Sequence, residues 1–393
     1  MEAAYIVSMA RTPIGSFGGQ LSGIQASKLG AHAIKEALKR ISLDTKLVQE
    51  VYIGNVLSAN LGQAPARQAA IFAGLPNETI CTTINKVCAS SLKTTMLAAQ
   101  SIMLGLQDVL ISGGFENMSA TPYYLDKART GYKLFDGTLI DGLIKDGIWD
   151  VYNNCHMATA AEKVASRLGI SREDQDNFCI ESYKRATNAT QNGWLNAEIA
   201  PFPLQDKSGV TSYMQEDEEY KKVVYEKIPK LKPAFDPNGT ITAANASKIN
   251  DGGAALVVVS ERKLHELNIK PLARIAGFAD AEQDPLEFPT SPSVAIPKAI
   301  QIAGLKSADI AVYEIHEAFS CVALSNMKRL GIDHSVTNLH GGAVSLGHPL
   351  GATGARTLCA LISVLKRTHK RYGVVGACNG GGGASAIVLE NCI

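Results

Sequence analysis

Over the first 118 residues, short β-branched and apolar runs alternate with stretches of helical periodicity. Residues 27–40 place apolar side chains at helical spacing, 51–57 read as a strand, 90–104 as a helix, and 108–113 as a buried strand ending in glycine. The opening MEAAYIVSMARTPIG is strand-like too. This alternation predicts βαβ units around a parallel or mixed sheet. From 119 to 249 the texture changes, with Tyr, Pro, Asp, Lys and Asn frequent and an acidic run at 216–219 ahead of lysines at 221, 222, 227, 230 and 232. Such a charge run reads equally well as a solvated face. After 270 the alternation resumes, and the two α/β regions look like copies. AIKEALKRISL (33–43) leading to VYIGN (51–55) parallels AIPKAIQIAGL (295–305) leading to VYEIH (312–316), and in each half the next helix begins about 32 residues later. Matched strand-plus-glycine segments follow at 108–119 and 372–385. A pseudo-twofold pairing of the halves would bring Cys88 and His348 together from opposite sides.

Composition narrows the class. A chain of 393 residues suits two or three packed units, and 46% hydrophobic against 19% charged residues argues for a large core and against disorder. A formal net charge of +1 argues against nucleic acid as a partner. No apolar run approaches the roughly 18 to 20 residues of a membrane span, so no membrane partner is expected. The start shows neither a secretory h-region nor an Arg/Ser-rich transit helix, and ENCI at the end is not a peroxisomal signal. None of the eight cysteines forms a C-x-x-C pair, which argues against zinc and against a disulfide framework and leaves thiolate chemistry open.

Four segments carry candidate chemistry. NKVCASSLK (85–93) sets Cys88 at a strand-to-helix turn, where free amides and the helix dipole are expected to lower the thiol pKa and populate the thiolate. A lone cysteine in such a place is more often a small core residue. NLHGGAVSLGHPLGATGA (338–355) is more telling, because glycines this dense cost backbone entropy and serve to bring main chain and amides against a ligand. Pro349 fixes the chain beside His348. In ACNGGGGASAI (377–387), Cys378 ends a strand ahead of four glycines that lead into another strand rather than a phosphate-binding helix. A thiol before exposed amides suits proton transfer next to an oxyanion hole. HEAFS (316–320) adds an imidazole, which alone would read as a core histidine.

Together, NxxGGAVSxGHPxGxTG, the CNGGGGA ending, the segment around Cys88 and the HEAF tetrapeptide resemble the thiolase family, in order and spacing along essentially the whole chain. Within it the chain resembles the short-chain acetyl-CoA acetyltransferases, notably the mitochondrial type, in FENMS (115–119), DVYNNCHM (150–157), EDEEYKKV (216–223), ITAANASKINDG (241–252) and EFP (287–289). The resemblance implies a duplicated αβαβα layered α/β fold with an inserted loop domain. Its units would be 1–118 with 250–270, the coenzyme A-binding insertion 119–249, and 271–393.

It also implies roles. Cys88 would carry the acetyl group as a thioester, His348 would activate it, and Cys378 would move the proton at the α-carbon or the leaving thiol. His348 and a water held by His316 would form one oxyanion hole, and the amides of Cys88 and Gly380 another. Position 316 is usually asparagine in short-chain members, so the histidine bears on substrate assignment. Coenzyme A would contact His156, Met157, Tyr183, Lys222, Val223, Val224, Lys227, Ser247, Phe288 and Phe319, with Phe288 before Pro289 matching members that accept 2-methyl-branched substrates. Potassium would be held by Tyr183, Ala243, Ala244, Ala246 and Val344. No cofactor is expected to be covalently bound. The implied ligands are acetyl-CoA, acetoacetyl-CoA and CoA; the implied state is a homo-oligomer, tetramer ahead of dimer, in the mitochondrial matrix or alternatively the cytosol. The alternatives are a longer-chain 3-ketoacyl-CoA thiolase, kept open by His316, and a silent acyl-CoA or lipid-binding relative, disfavoured by the intact thiols and glycine loops. A ketoacyl synthase would replace Cys378 with histidine.

Overall fold

The computed structural model describes residues 2–393. In the first half, β1 (Ala4–Arg11), α1 (Ala26–Arg40), β2 (Glu50–Gly54), α2 (Pro65–Phe72), β3 (Ile80–Ile84), α3 (Ser90–Met103) and β4 (Val109–Asn117) follow in sequence. Helices α4 (Met157–Arg167) and α5 (Arg172–Gln191) lie in the central region, and β5 (Asn250–Ser260) closes the first half. The second half holds β6 (Ala273–Glu282), α6 (Pro292–Ile302), β7 (Val312–Ile315), α7 (Ser320–Leu330), α8 (Thr353–Thr368), β8 (Tyr372–Asn379) and β9 (Gly383–Asn391).

These nine strands run in the order β7-β8-β9-β6-β1-β5-β4-β2-β3, and residues 15–16 add a short tenth strand against β5. Each half repeats one pattern outward from the centre, so β1 answers to β6, β5 to β9, β4 to β8 and β2 to β7. The halves join where β1 and β6 pair antiparallel, Tyr5 opposite Arg274 and Ile6 opposite Ala273. Parallel pairing is confined to β2–β3, β2–β4 and β7–β8. Between β4 and β5 the chain adds no strand to this sheet, only two-stranded pairs such as 202–205 with 211–214.

Burial explains the layering. Strand β5 is buried at every residue, and its AALVVVS run is the unbroken apolar pattern of a strand covered on both faces. Helix α8 is buried continuously from Thr353 to Leu365, which is the mark of an internal helix. It packs against α3 in a shared core with β1, β5, β6, β8 and β9. Helices α1 and α2 cover the outer face of the first half, α6 and α7 that of the second. Helix α1 does so with Leu29, Ala33, Ile34, Ala37 and Leu38, a single stripe at helical spacing. On α5, Ser171 and Asp174 form a reciprocal cap that fixes its start.

The strand expected over 51–57 stops at Gly54. Beyond it, the amides of Val56 and Leu57 bond the buried Glu116 carboxylate at 3.0 and 3.1 Å instead of a neighbouring strand. Glu116 also accepts from Asn55 Nδ2 at 2.6 Å and from the Gly351 amide at 2.9 Å, so one carboxylate ties the ends of β2 and β4 to the loop after His348. Gly114 admits that loop: a Cβ there would lie 1.9 Å from the Gly351 carbonyl oxygen.

Candidate active site

Two buried helices, α3 and α8, point their N-terminal ends at the same place, one bringing Cys88 and the other His348. Val87 holds φ of +47°, a left-handed conformation costly for a β-branched residue. Its carbonyl accepts from Ser90 Oγ at 2.6 Å while the Lys86 amide donates to the same oxygen Oγ at 2.8 Å, so the bend is fixed by the first residue of α3. The Lys86 ammonium reaches Asp280 on β6 at 2.6 Å, and Lys93 reaches the same carboxylate at 2.7 Å. The cysteine turn is thereby tied to the opposite half.

His348 sits behind Gly347, whose φ of +112° and 2.6 Å approach to Asn250 exclude a side chain. The His348 amide donates to Asn250 Oδ1 at 2.9 Å. Its Nδ1 lies 2.6 Å from Thr353 Oγ1, and that hydroxyl donates to the Pro349 carbonyl at 3.0 Å. With its one proton given to Pro349, Thr353 accepts from Nδ1–H. Nε2 is therefore the bare nitrogen, and it lies 3.3 Å from Cys88 Sγ.

One cavity of about 60 Å³ is lined by Cys88, His348, Cys378 and Gly380, with His156, Met157, Ser247, Phe288 and Phe319 around them. Gly147, Ile148, Ala318, Leu350 and Asn379 also line it and were not singled out from the sequence. Cys378 ends β8, as expected, and is buried. His316 follows β7, fully buried, with its ring centroid 4.2 Å from that of His348. Neither of its ring nitrogens has a partner. One ligand atom each from Cys88, His316 and His348 falls within 4.8 Å of the others, the one group with metal-like spacing among the described residues; the same closeness serves a group passing between sulfur and imidazole.

The expected lowering of the Cys88 pKa is not what the structure holds. Burial pushes the thiol up to about 12, against the amides of Gly380 and Cys88 itself. Desolvation of a thiolate in this narrow site outweighs the helix terminus. Burial, with Arg356 nearby, brings His348 down to about 3, and burial with His348 and Arg356 holds His316 well below its ordinary value. Burial and the neighbouring Cys88 raise Cys378 well above the usual thiol range. At rest the site is a neutral thiol facing a neutral imidazole.

The remaining expected ligand residues divide in two. His156 caps α4, taking the Ala158 amide on Nδ1 at 3.1 Å, and stacks on Phe235 at 4.6 Å. Lys222, Val223, Val224 and Lys227 lie instead along a groove of about 380 Å³ with Tyr183, Ala243 and Ala244. The 243–248 segment borders both groove and cavity. Of the potassium set, Val344 is buried beside Tyr183, and the carbonyls of Ala244 and Ala246 are taken by the Lys248 ammonium at 3.0 and 2.6 Å. The residues present do not fit a potassium ion at those two oxygens.

The chain matches the thiolase N-terminal domain over residues 4–262 and the thiolase C-terminal domain over 269–391. It belongs to the thiolase family. It is similar to acetyl-CoA acetyltransferase 2 of Arabidopsis thaliana, 54% identical over 98% of this chain and 96% of that one. A cytosolic acetyl-CoA acetyltransferase of Gibberella zeae is 52% identical over 100% and 99%, and mitochondrial acetyl-CoA acetyltransferase A of Xenopus laevis 52% over 99% and 92%. Among solved structures, a thiolase of Ascaris suum in complex with coenzyme A superposes with a TM-score of 0.93 at 42% identity, covering 99% and 100% of the two chains. Human mitochondrial 3-ketoacyl-CoA thiolase does so with 0.96 at 36%, covering 99% of each. The thiolase layering expected from the sequence is the one observed, and no helix among the described residues is long and apolar enough to cross a membrane.

Proposed function

We propose that this thiolase is an acetyl-CoA C-acetyltransferase, condensing two acetyl-CoA to acetoacetyl-CoA and CoA and catalysing the reverse thiolysis. The observation that carries the reading is the 3.3 Å contact of Cys88 Sγ with the bare Nε2 of His348, in one cavity with Cys378. His348 takes the Cys88 proton as the sulfur attacks the thioester carbonyl, and the Gly380 and Cys88 amides receive the developing oxyanion. Cys378 gives its proton to the departing CoA thiolate and becomes a thiolate. That thiolate then removes a proton from the methyl of a second acetyl-CoA. The enolate attacks acetyl-Cys88, and the released Cys88 sulfur recovers its proton from His348, so protons balance over the cycle.

The raised pKa of Cys378 favours the second of its two steps, removal of the methyl proton, and works against the first, in which the same thiol is the acid. A thioester α-proton is weakly acidic, and a desolvated Cys378 thiolate is a correspondingly strong base. The raised Cys88 pKa strengthens the thiolate as a nucleophile but costs more in forming it, so the proton passes to His348 as the sulfur attacks and not before. His316, neutral and facing His348, suits a water that supports the enolate oxygen.

Substrate size follows from the walls. A cavity of about 60 Å³ closed by Ile148, Met157, Phe288 and Phe319 suits a short acyl group, and the resemblance of Phe288 before Pro289 to members that accept 2-methyl-branched substrates extends the reading to 2-methylacetoacetyl-CoA. The pantetheine and nucleotide would lie along the groove by Lys222, Val223, Val224 and Lys227, in the 119–249 insertion between an N-terminal half (1–118 with 250–270) and a C-terminal half (271–393). The relatives named for the mitochondrion support the matrix as the compartment, and the cytosolic relative keeps the cytosol second. We propose a homo-oligomer, tetramer ahead of dimer, on the family resemblance alone; a monomer in light scattering would overturn it.

The experiment is thiolysis of acetoacetyl-CoA by CoA, followed by loss of enolate absorbance, alongside 2-methylacetoacetyl-CoA and longer 3-ketoacyl-CoAs. Turnover falling with chain length is expected. A preference for the longer substrates, or no turnover of any, would overturn the reading.

A further inference from the structure

Lys248, in the NASKIND segment, has no part in the chemistry above. Its ammonium donates to the carbonyl oxygens of Ala244 and Ala246 at 3.0 and 2.6 Å and lies 5.8 Å over the centroid of the Tyr183 ring. Two main-chain carbonyls and an aromatic face form a cradle for a weakly hydrated monovalent cation, and here the chain supplies that cation from four residues away. An ammonium and a potassium ion cannot occupy this cradle together, because two like charges a few ångströms apart in a buried site repel strongly. Burial draws the amine down to about 8, with Cys179, Glu219 and Glu317 acting the other way, which leaves it mostly protonated at neutral pH.

The loop so closed matters to the reaction. The Ser247 amide donates to the Ala318 carbonyl at 3.0 Å and the Ser320 amide to the Asn245 carbonyl at 2.8 Å. Ala246 pairs with Phe319, and Ile249 pairs with His348. The loop's inner side is held without the lysine, through Cys179 Sγ to the Ala244 carbonyl at 3.3 Å and Asn245 Nδ2 to Asp176 at 3.0 Å. Lys248 closes the side that faces the groove of Lys222 and Lys227.

We infer that Lys248 is a tethered cation standing where a monovalent metal ion would otherwise bind, and that it positions the 243–249 loop between the coenzyme A groove and the acyl cavity. It is a positioning residue: it touches the loop carbonyls, not the reacting atoms. The consequence is a thiolase indifferent to potassium. The activity readouts rest on the thiolysis reading above; the melting readout does not.

The test compares wild type with Lys248→Thr and the size-matched Lys248→Met, in potassium, sodium and tetramethylammonium chloride at equal ionic strength. KM for CoA, kcat and melting temperature are measured in each. Wild type should give the same three values in every salt. Lys248→Thr should lower the melting temperature in tetramethylammonium chloride, as loss of two charge-assisted hydrogen bonds implies, and should raise KM for CoA by about tenfold, because only part of that loss reaches the groove, with a smaller change in kcat. Potassium should restore both for Lys248→Thr and neither for Lys248→Met, whose side chain fills the place. Potassium activation of wild type, a Lys248→Thr enzyme unchanged in tetramethylammonium, or a deficit that potassium leaves untouched would each overturn the inference. If wild type turns over no acetoacetyl-CoA, the thiolysis reading fails by itself and the melting series still decides the role of Lys248.

Discussion

Replacing Thr353 by valine tests how the imidazole is held. Valine has nearly the same shape as the threonine it replaces, which is buried at the start of α8. What it removes is the acceptor 2.6 Å from His348 Nδ1. In a site this buried, an N–H left without an acceptor costs about 1–3 kcal/mol. The imidazole can escape part of that cost by moving its proton to Nε2, which then faces Cys88 Sγ as a donor and cannot take the sulfur's proton. Either route raises the barrier to acylation. At about 1.4 kcal/mol per tenfold, the acylation rate should fall roughly 5- to 150-fold. The assay is rapid-mixing acetylation of the free enzyme by acetyl-CoA under single-turnover conditions, with Thr353→Ser retaining most of the rate because it keeps the hydroxyl. Wild-type acylation by a folded Thr353→Val enzyme would refute the tautomer argument.

Other expectations follow from the same geometry. His316→Asn keeps a group able to hold water and should change kcat in thiolysis by less than about tenfold, while His316→Phe should lose on the order of 10²–10³, the usual cost of an oxyanion-hole partner; equal effects would contradict the assigned role. Burial, with Arg367 beside it, holds His340 down to about 3, so the folded chain refuses a proton the unfolded chain accepts below the ordinary histidine range. The stability this neutral ring allows is present above about pH 6.5 and should be lost at about 1.4 kcal/mol per pH unit as pH falls toward 3. Denaturant unfolding at pH 7.5 and 5.0 should show a smaller difference in His340→Gln than in wild type, and an unchanged slope would reject that source of acid sensitivity.

How much of this was legible in the sequence depends on the distance over which each feature is built. Helix α1, strand β4 and the paired repeats were readable because their apolar spacing is local and their partners are regular elements. The convergence of Cys88 and His348 was readable from the repeats, since equivalent loops of a duplicated fold meet about its pseudo-axis. The state of the Cys88 thiol was misread: a helix N-terminus is visible in sequence, but the cavity that desolvates the sulfur is assembled from Met157, Phe319 and Gly380, far along the chain. The end of β2 was overrun for a similar reason, because Glu116 intercepts the amides of Val56 and Leu57. Thr353 and Lys248 lie inside the motifs at 338–355 and 241–252 without any sign of their roles. A threonine among glycines and a lysine in a polar run carry no mark of burial, and their partners are main-chain oxygens that no residue type announces.

The most direct measurement of the central claim is the mass of the intact protein after exposure to acetyl-CoA, with the modified peptide then sequenced. One acetyl group should appear on the peptide holding Cys88 and leave again when free CoA is added, and Cys88→Ala should gain none. An acetyl group on another residue, or one that persists on Cys88→Ala, would contradict the account.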